Sequence, residues 1–119
     1  MKNMMFIKHA ENFRVEEVPK GLMDAMGEFV SASMKSGAVI DTAGLKPTAE
    51  GSRVNLSKGK IKITDGPFTE AKEIVGGYAL VEATSKKEAV DFARKFMDLH
   101  LKHWPEFEGT CEVRPLEDM

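Results

Sequence analysis

The sequence predicts a single α+β domain in which two helices cover one face of an antiparallel sheet. Its 119 residues suffice for one compact domain and are too few for two ordinary ones. Two segments carry apolar residues at helical spacing, and six short segments are typical of strands. Their order along the chain, β-α-β-β-β-β-α-β, predicts a ferredoxin-like sandwich.

The first half of the domain begins with a strand and continues into an amphipathic helix. Residues 3–9 are short and apolar, as expected of a strand. Over residues 20–36 the apolar side chains recur at helical spacing, with Pro19 suited to the first turn and Gly37 to the C-terminal cap. A second strand begins at residue 38 and ends within residues 44–47.

The middle of the chain predicts a β-hairpin. Residues 52–57 and 60–64 alternate between apolar and polar side chains on either side of a Lys58-Gly59 turn. We expect the apolar side chains to point inward, namely Val54, Leu56, Ile61 and Ile63. The opposite face is basic, but no aromatic residues are interleaved for base stacking, so it is interpreted as a solvated strand face.

The second half contains a sharp turn, a long strand, a helix and a last strand. Residues 65–68 (DGPF) must turn, because Gly-Pro cannot continue a strand ladder. Residues 74–83 form the longest candidate strand. Ser85 and Glu88 are spaced as a capping box that opens the second helix, which ends before Pro105. Residues 110–114 form the last strand.

Composition excludes several classes of protein. Seventeen basic and nineteen acidic side chains give a net charge of −2, which provides no global field for nucleic acid or an anionic membrane. No apolar run approaches the ~20 residues of a membrane span, and the N-terminal segment does not resemble a signal peptide. The single cysteine, Cys111, is expected to be a buried, inert thiol. With eight methionines, it indicates a reducing cytoplasm.

One face of the predicted sheet has no helix to cover it. Depending on register, this face carries Tyr78 and Leu80 or Ala79 and Val81. Nothing else in the chain remains to cover these apolar side chains, so we expect two copies to pack sheet to sheet as a homodimer.

Residues 65–73 (DGPFTEAKE), followed by Gly76-Gly77-Tyr78, resemble the signature of DGPF-domain proteins in the YCII-related family. Residues 44–47 (GLKP) and 111–115 (CEVRP) are also similar to family segments. The resemblance covers nearly the whole chain, and we expect residues 1–119 to form a single YCII-related domain. It implies a ferredoxin-like unit that forms a dimeric α+β barrel.

The resemblance also bears on activity. Many members of the wider family share a histidine and an aspartate and are suspected of enzymatic work, with the histidine on the first helix. This chain departs from that pattern, because residues 22–36 contain no histidine. The resemblance also implies a regulatory setting, because DGPF-domain proteins are associated with extracytoplasmic-function sigma factors.

Asp65 and two histidines are the candidate acid–base residues. A carboxylate on a rigid turn suits proton transfer, although Asp65 can instead cap the turn through local hydrogen bonds. Histidine titrates near neutral pH, which makes His100 and His9 the candidate proton partners. His100 lies on the apolar side of the second helix and His9 at the end of the first strand; each also has a purely structural interpretation.

The remaining candidates are charged or aromatic. Glu70 and Glu73 lie three residues apart and could share one side of a turn, with Lys72 pairing one of them or binding an anionic substrate. A solvated, salt-bridged turn is the alternative. Tyr78 and Arg114 are candidate substrate contacts. We expect no metal site, because no third or fourth ligand converges on any pair.

Two functions follow from these residues and the resemblance. In the first, the protein is a cytoplasmic homodimer that binds a small molecule and performs cofactor-free acid–base chemistry near Asp65. In the second, it is a non-catalytic module that binds a partner in sigma-factor regulation. The missing first-helix histidine and the incomplete catalytic constellation motivate the second, whereas the titratable groups around the motif and the family resemblance favour a small-molecule pocket.

Overall fold

The computed structural model describes residues 1–117, apart from the side chain of Val15, and confirms the predicted α+β fold. The strands and helices follow the predicted order, with boundaries within about three residues of those expected. They are β1 (Lys2–His9), α1 (Lys20–Lys35), β2 (Val39–Gly44), β3 (Ser52–Ser57), β4 (Lys60–Asp65), β5 (Ile74–Glu82), α2 (Lys86–His103) and β6 (Thr110–Pro115).

Four strands form one antiparallel sheet in the order β2-β5-β1-β6. This is the strand order of a ferredoxin-like fold in which the β3–β4 hairpin is inserted between β2 and β5. Gly76 has no partner in β1, because the register shifts between the pairs Ile7–Gly77 and Lys8–Val75. The bulge lies at the end of the sheet where the inserted hairpin joins it.

Both helices cover the same face of this sheet. Met5 and Val81 project from β1 and β5 onto Ala93 of α2, and all three are buried. The α1 helix packs beside α2 through Phe29 and Phe92, whose ring centroids are 5.0 Å apart. Burial of these side chains supplies the main stabilisation of the domain.

The opposite face of the sheet is uncovered in the single chain, and we call it the open face. Its centre is apolar and half-buried, and the ion pair between Lys8 Nζ and Glu112 Oε1, 2.9 Å apart, lies at one end. The strand register places the following apolar and aromatic residues on it: Met4, Phe6, Tyr78 and Leu80.

The β3–β4 hairpin departs from expectation. Its turn is as predicted, with positive φ at Lys58 and Gly59. It nevertheless forms a separate two-stranded sheet, and no helix covers it. The expectation that its apolar side chains point into the core is therefore wrong. They are 68–74% exposed and lie on one face: Val54, Leu56, Ile61 and Ile63.

Among residues 1–117, no helix is both long enough and apolar enough to cross a membrane.

Candidate functional site

The DGPF turn, residues 65–68, ties the base of the hairpin to the segment that follows β2. The backbone N–H of Gly66 donates to the Gly51 carbonyl oxygen at 2.8 Å. Gly66 also lies so close to the Thr48 carbonyl that a β-carbon would overlap its oxygen. Glycine is required here because two backbone segments meet. The main constraint at this position is steric.

Thr48 joins three segments that are distant in sequence. Its hydroxyl donates to Glu11 Oε1 at 2.6 Å and accepts from the Phe68 backbone N–H at 3.1 Å. Its own backbone N–H donates to Glu11 Oε2 at 2.8 Å. These bonds, chiefly that from the hydroxyl, lower the pKa of Glu11, with a smaller contribution from the charge of His9. Thr48 therefore connects the loop after β1 to the DGPF turn.

Arg53 extends from β3 across the same turn. Its guanidinium carbon lies 3.9 Å from the centroid of the Phe68 ring, in cation–π geometry. The guanidinium also forms an ion pair with Glu70. The pKa of Glu70 is lowered, first by its own backbone N–H and then by Arg53. These contacts hold Arg53 against the turn, and it is not a free surface cation.

These segments enclose one side of an open cleft of about 700 Å³, which we call the DGPF cleft. The segment after β2, the first residues of β3, Phe68 and the start of β5 all contribute to it. Its apolar wall is formed by Leu45, Pro47, Phe68, Ile74 and Val75. Val75 lines the cleft and pairs with Lys8, which lies on the open face. The cleft is therefore beside the open face.

The charges that line the cleft differ in their pairing. Lys46 Nζ lies 3.7 Å from Glu50 Oε1, and Arg53 is paired with Glu70. Glu73 also lines the cleft, and within residues 1–117 no cation lies within ion-pair distance of its carboxylate. Among the described residues, Glu73 is therefore the lining carboxylate that has no ion-pair partner.

The predicted residues near the motif occupy different positions. Asp65 ends β4, is exposed, and accepts a hydrogen bond at 2.7 Å from the Ser52 hydroxyl across the hairpin. Glu70 pairs with Arg53, whereas Lys72 is exposed and forms no ion pair with any described residue. Residues 69–73 are not helical, so the helical spacing considered for Glu70 and Glu73 does not occur.

His9 and His100 lie in one aromatic cluster on the helix side of the sheet. Both rings pack on Phe107, with centroids 5.9 and 4.9 Å from it. The cluster comprises His9, Phe13, His100, Trp104 and Phe107.

Each histidine is held by a backbone carbonyl. His9 Nδ1 donates to the Ala10 oxygen at 2.8 Å, and His100 Nδ1 donates to the Phe96 oxygen at 3.1 Å. A carbonyl can only accept, so Nδ1 carries the proton in both rings. The His9 ring also covers Gly76, where a β-carbon would overlap it. Burial lowers the pKa of His100, and the bond to Phe96 opposes this only partly.

Tyr78 and Arg114 lie on the open face rather than among the residues that line the DGPF cleft. The Tyr78 hydroxyl donates to Asp41 Oδ2 at 3.0 Å, and this bond raises the pKa of the phenol. Arg114 is exposed opposite Met4 of β1. Both residues are therefore placed to contact whatever covers the open face.

Among the described residues, no hydrogen bond or ion pair joins Asp65 to His9 or His100. Asp65 contacts Ser52 at the hairpin base, whereas His100 and His9 contact the aromatic cluster. Over the described part of the chain, no three His, Cys, Asp or Glu side chains converge in a way that could hold a metal ion.

Three residues of the site were not predicted as functional. The basic face of the hairpin, to which Arg53 belongs, is predicted to be solvated, and no sequence pattern selects Glu11 or Thr48. Thr48 directly follows the GLKP segment, so its neighbourhood was signalled by the resemblance. Glu11 has no local signal, because its partner lies 37 residues away.

The chain is similar to known proteins over the region that forms the cleft. Residues 1–97 match the model of the YCII-related domain, a range that contains all the residues lining the DGPF cleft. Over 101 residues the chain is 36% identical to an uncharacterised protein of Rhizobium meliloti (strain 1021), covering 85% of this chain and 74% of that relative. The family match ends before His100 and Arg114.

Proposed function

The chain belongs to the YCII-related domain family, and from this premise we propose that it binds a small organic molecule in the DGPF cleft. The observation that carries the proposal is the cleft itself. Small-molecule sites usually measure about 300–1,000 Å³ and combine an apolar wall with a few fixed polar groups. The cleft measures about 700 Å³ and combines the apolar wall with Thr48, Arg53 and Glu73.

The charge pattern favours a ligand with an apolar body and a positively charged or hydrogen-bond-donating end. Both cations of the cleft are paired with carboxylates, whereas Glu73 has no such partner among residues 1–117. Glu73 would accept a hydrogen bond or a proton from the ligand. If the protein is catalytic, Glu73 is therefore better placed than Asp65 to act as a base within the cleft.

A pair of probes with one ring and opposite charges tests this proposal. Benzylamine and benzoate would each be titrated while backbone amide signals are followed by NMR. Benzylamine is expected to shift the amides of Gly51, Phe68 and Val75, which line the cleft, and Glu73→Gln should abolish the shifts. Equal shifts from benzoate, or shifts confined to other residues, would contradict the proposed ligand class.

Native mass spectrometry of freshly purified protein provides a test without a chosen probe. Leu45→Arg places a long side chain in the cleft, and Leu101→Arg is its matched control on the exposed surface of α2. A non-protein mass that wild type and Leu101→Arg retain and Leu45→Arg loses would support binding in the cleft. The same mass in all three proteins would place the ligand elsewhere.

We further propose that the working unit is a homodimer formed through the open face. The apolar centre of the open face is uncovered in a single chain. At one end of that face, the Lys8–Glu112 ion pair places one positive and one negative charge side by side. Sedimentation velocity is expected to give a dimer, and a monomer at all concentrations would contradict the proposal. A cytoplasmic location stays a prediction.

A second candidate function is a non-catalytic module that binds a protein in extracytoplasmic-function sigma-factor signalling. It is favoured because, among residues 1–117, neither histidine forms a hydrogen bond with Asp65. Calorimetric titration with such a sigma factor from the same organism tests this function. Binding that persists in Glu73→Gln and Leu45→Arg would support the module, and no heat of binding would count against it.

A further inference from the structure

The β3–β4 hairpin places four large aliphatic side chains in water. Val54 is opposite Ile63 and Leu56 is opposite Ile61, so the four form one continuous patch across both strands. At 68–74% exposure they present on the order of 400–500 Å² of apolar surface, comparable to the largest patch of a typical monomer, about 300–600 Å². A patch of this size is often functional, which makes the hairpin a candidate interaction surface.

The two faces of the hairpin differ in chemistry. The face opposite the patch carries Arg53, Asn55, Lys60 and Lys62. These side chains are costly to remove from water, so the hairpin can dock through the apolar face alone. An isolated two-stranded ribbon is also marginally stable in water and needs a surface on which to pack. Within residues 1–117 the hairpin pairs only with itself.

We propose that the hairpin is a dimerisation arm whose apolar face is buried on a second copy of this chain. This inference rests on the proposed homodimer and names a second surface that forms it. Among the described residues, the hairpin patch and the open face are two apolar surfaces that no other element of the chain covers. A symmetric dimer covers both in one association step.

The hairpin patch alone is too small to hold two copies together, so a second copy would have to use the open face as well. Burying the patch of each copy removes roughly 800–1,000 Å² from water, which is below the ~1,200–2,000 Å² of a specific interface. The open face supplies the remainder. The two surfaces lie on either side of the DGPF cleft, which Val75 lines from the sheet and Arg53 lines from the hairpin.

This arrangement couples the dimer to the cleft. Arg53 belongs to the hairpin, and its contacts with Phe68 and Glu70 connect the arm to the DGPF turn. An arm packed on the partner copy holds the hairpin wall of the cleft in place. Ligand binding and dimerisation are therefore linked, and each strengthens the other.

Two neighbouring substitutions test the arm. Leu56→Glu and Asn55→Glu introduce the same charge one residue apart on opposite faces of β3, and both positions are exposed, so the fold of the single chain is preserved. Leu56→Glu is expected to weaken dimerisation by about tenfold or more, as for an apolar interface contact. Asn55→Glu should change it by less than about twofold. Sedimentation velocity over a concentration series measures both.

A third variant separates failure of the arm from failure of the open-face dimer. Leu80→Lys disturbs the open face without touching the hairpin. If Leu80→Lys dissociates the dimer and Leu56→Glu does not, the proposed role of the hairpin is wrong and the open-face dimer is supported. The hairpin patch would then bind another protein. If only Leu56→Glu dissociates the dimer, the arm stands alone. A wild-type monomer at every concentration overturns both.

Discussion

Replacing Thr48 with valine removes one hydroxyl and leaves the shape of the side chain nearly unchanged. That hydroxyl donates to Glu11 at 2.6 Å and accepts from the Phe68 backbone at 3.1 Å. Because these bonds connect the loop after β1, the segment after β2 and the DGPF turn, we expect Thr48→Val to destabilise the whole domain.

The expected cost follows from the two bonds. A hydrogen bond contributes about 0.5–1.5 kcal/mol net, and one to a charged group about 1.5–3 kcal/mol. Glu11 is exposed, so water replaces part of its lost bond and the lower end of that range applies. Together the two bonds give about 2 kcal/mol. For a domain of 119 residues this lowers Tm by about 6–10 °C.

Urea unfolding followed by fluorescence measures this cost. Trp104 is the single tryptophan and packs between Phe13 and Phe107, so its emission reports loss of the aromatic cluster. Thr48→Ser is the matched control, because it keeps the hydroxyl and should lie within about 0.5 kcal/mol of wild type.

The stability difference between wild type and Thr48→Val should also depend on pH, in a predictable direction. The Thr48 bonds lower the pKa of Glu11 from its ordinary 4.5, so the ionised carboxylate is favoured in the folded state. Its contribution is fully present above pH 4.5 and is lost as pH falls through the folded-state pKa. The gap between wild type and Thr48→Val should therefore narrow below pH 4.5. Equal stability of the two proteins at neutral pH would refute the assigned role of Thr48.

Three further predictions concern single positions. Gly66→Ala should destabilise by more than about 2 kcal/mol in urea unfolding, because its β-carbon would overlap the Thr48 carbonyl. Gly27→Ala in α1 has open space around it and should be neutral or stabilising by up to about 1 kcal/mol; equal costs at the two glycines would refute the steric argument. Burial raises the pKa of Cys111 to about 11, so Ellman's reagent should react with the native thiol at least about 100-fold more slowly than with the urea-unfolded chain at pH 8. Burial lowers the pKa of His100, so protonating it opposes folding and stability should fall as pH drops below 6.5; an NMR titration midpoint at or above 6.5 would contradict this.

The sheet and helices could be predicted because their signals are local. The apolar spacing of residues 20–36, Gly37 at the helix end and the Ser85–Glu88 cap each act within a few residues. Ser85 does accept the Glu88 backbone N–H at 3.1 Å. Alternation also predicted the hairpin and its turn correctly.

The orientation of the hairpin could not be predicted, for a physical reason. Alternation of apolar and polar residues shows that a strand has two chemically different faces. It does not show what lies against the apolar face, because a core, a partner and water all allow the same pattern in one chain. Burial is the usual reason for an apolar strand face, so alternation alone predicts Val54 and Ile63 in the core.

The contacts that build the DGPF cleft could not be predicted, because they join residues that are distant in the sequence. Glu11, Thr48 and Phe68 belong to three segments, and no spacing rule connects them. The histidines lie in the aromatic cluster on the helix side of the sheet, although strand-end and helix-end positions made them plausible partners for Asp65.

The residues of the DGPF motif that identify the family have structural roles in this protein. Gly66 allows two backbones to meet, Phe68 supports Arg53, and Glu70 neutralises that cation. Asp65 bonds Ser52 across the base of the hairpin. Each residue has a structural task at the junction of the hairpin and the sheet, and together they shape one wall of the cleft. Within the family signature, these residues hold the junction together, whereas Glu73 lines the cleft without an ion-pair partner among residues 1–117.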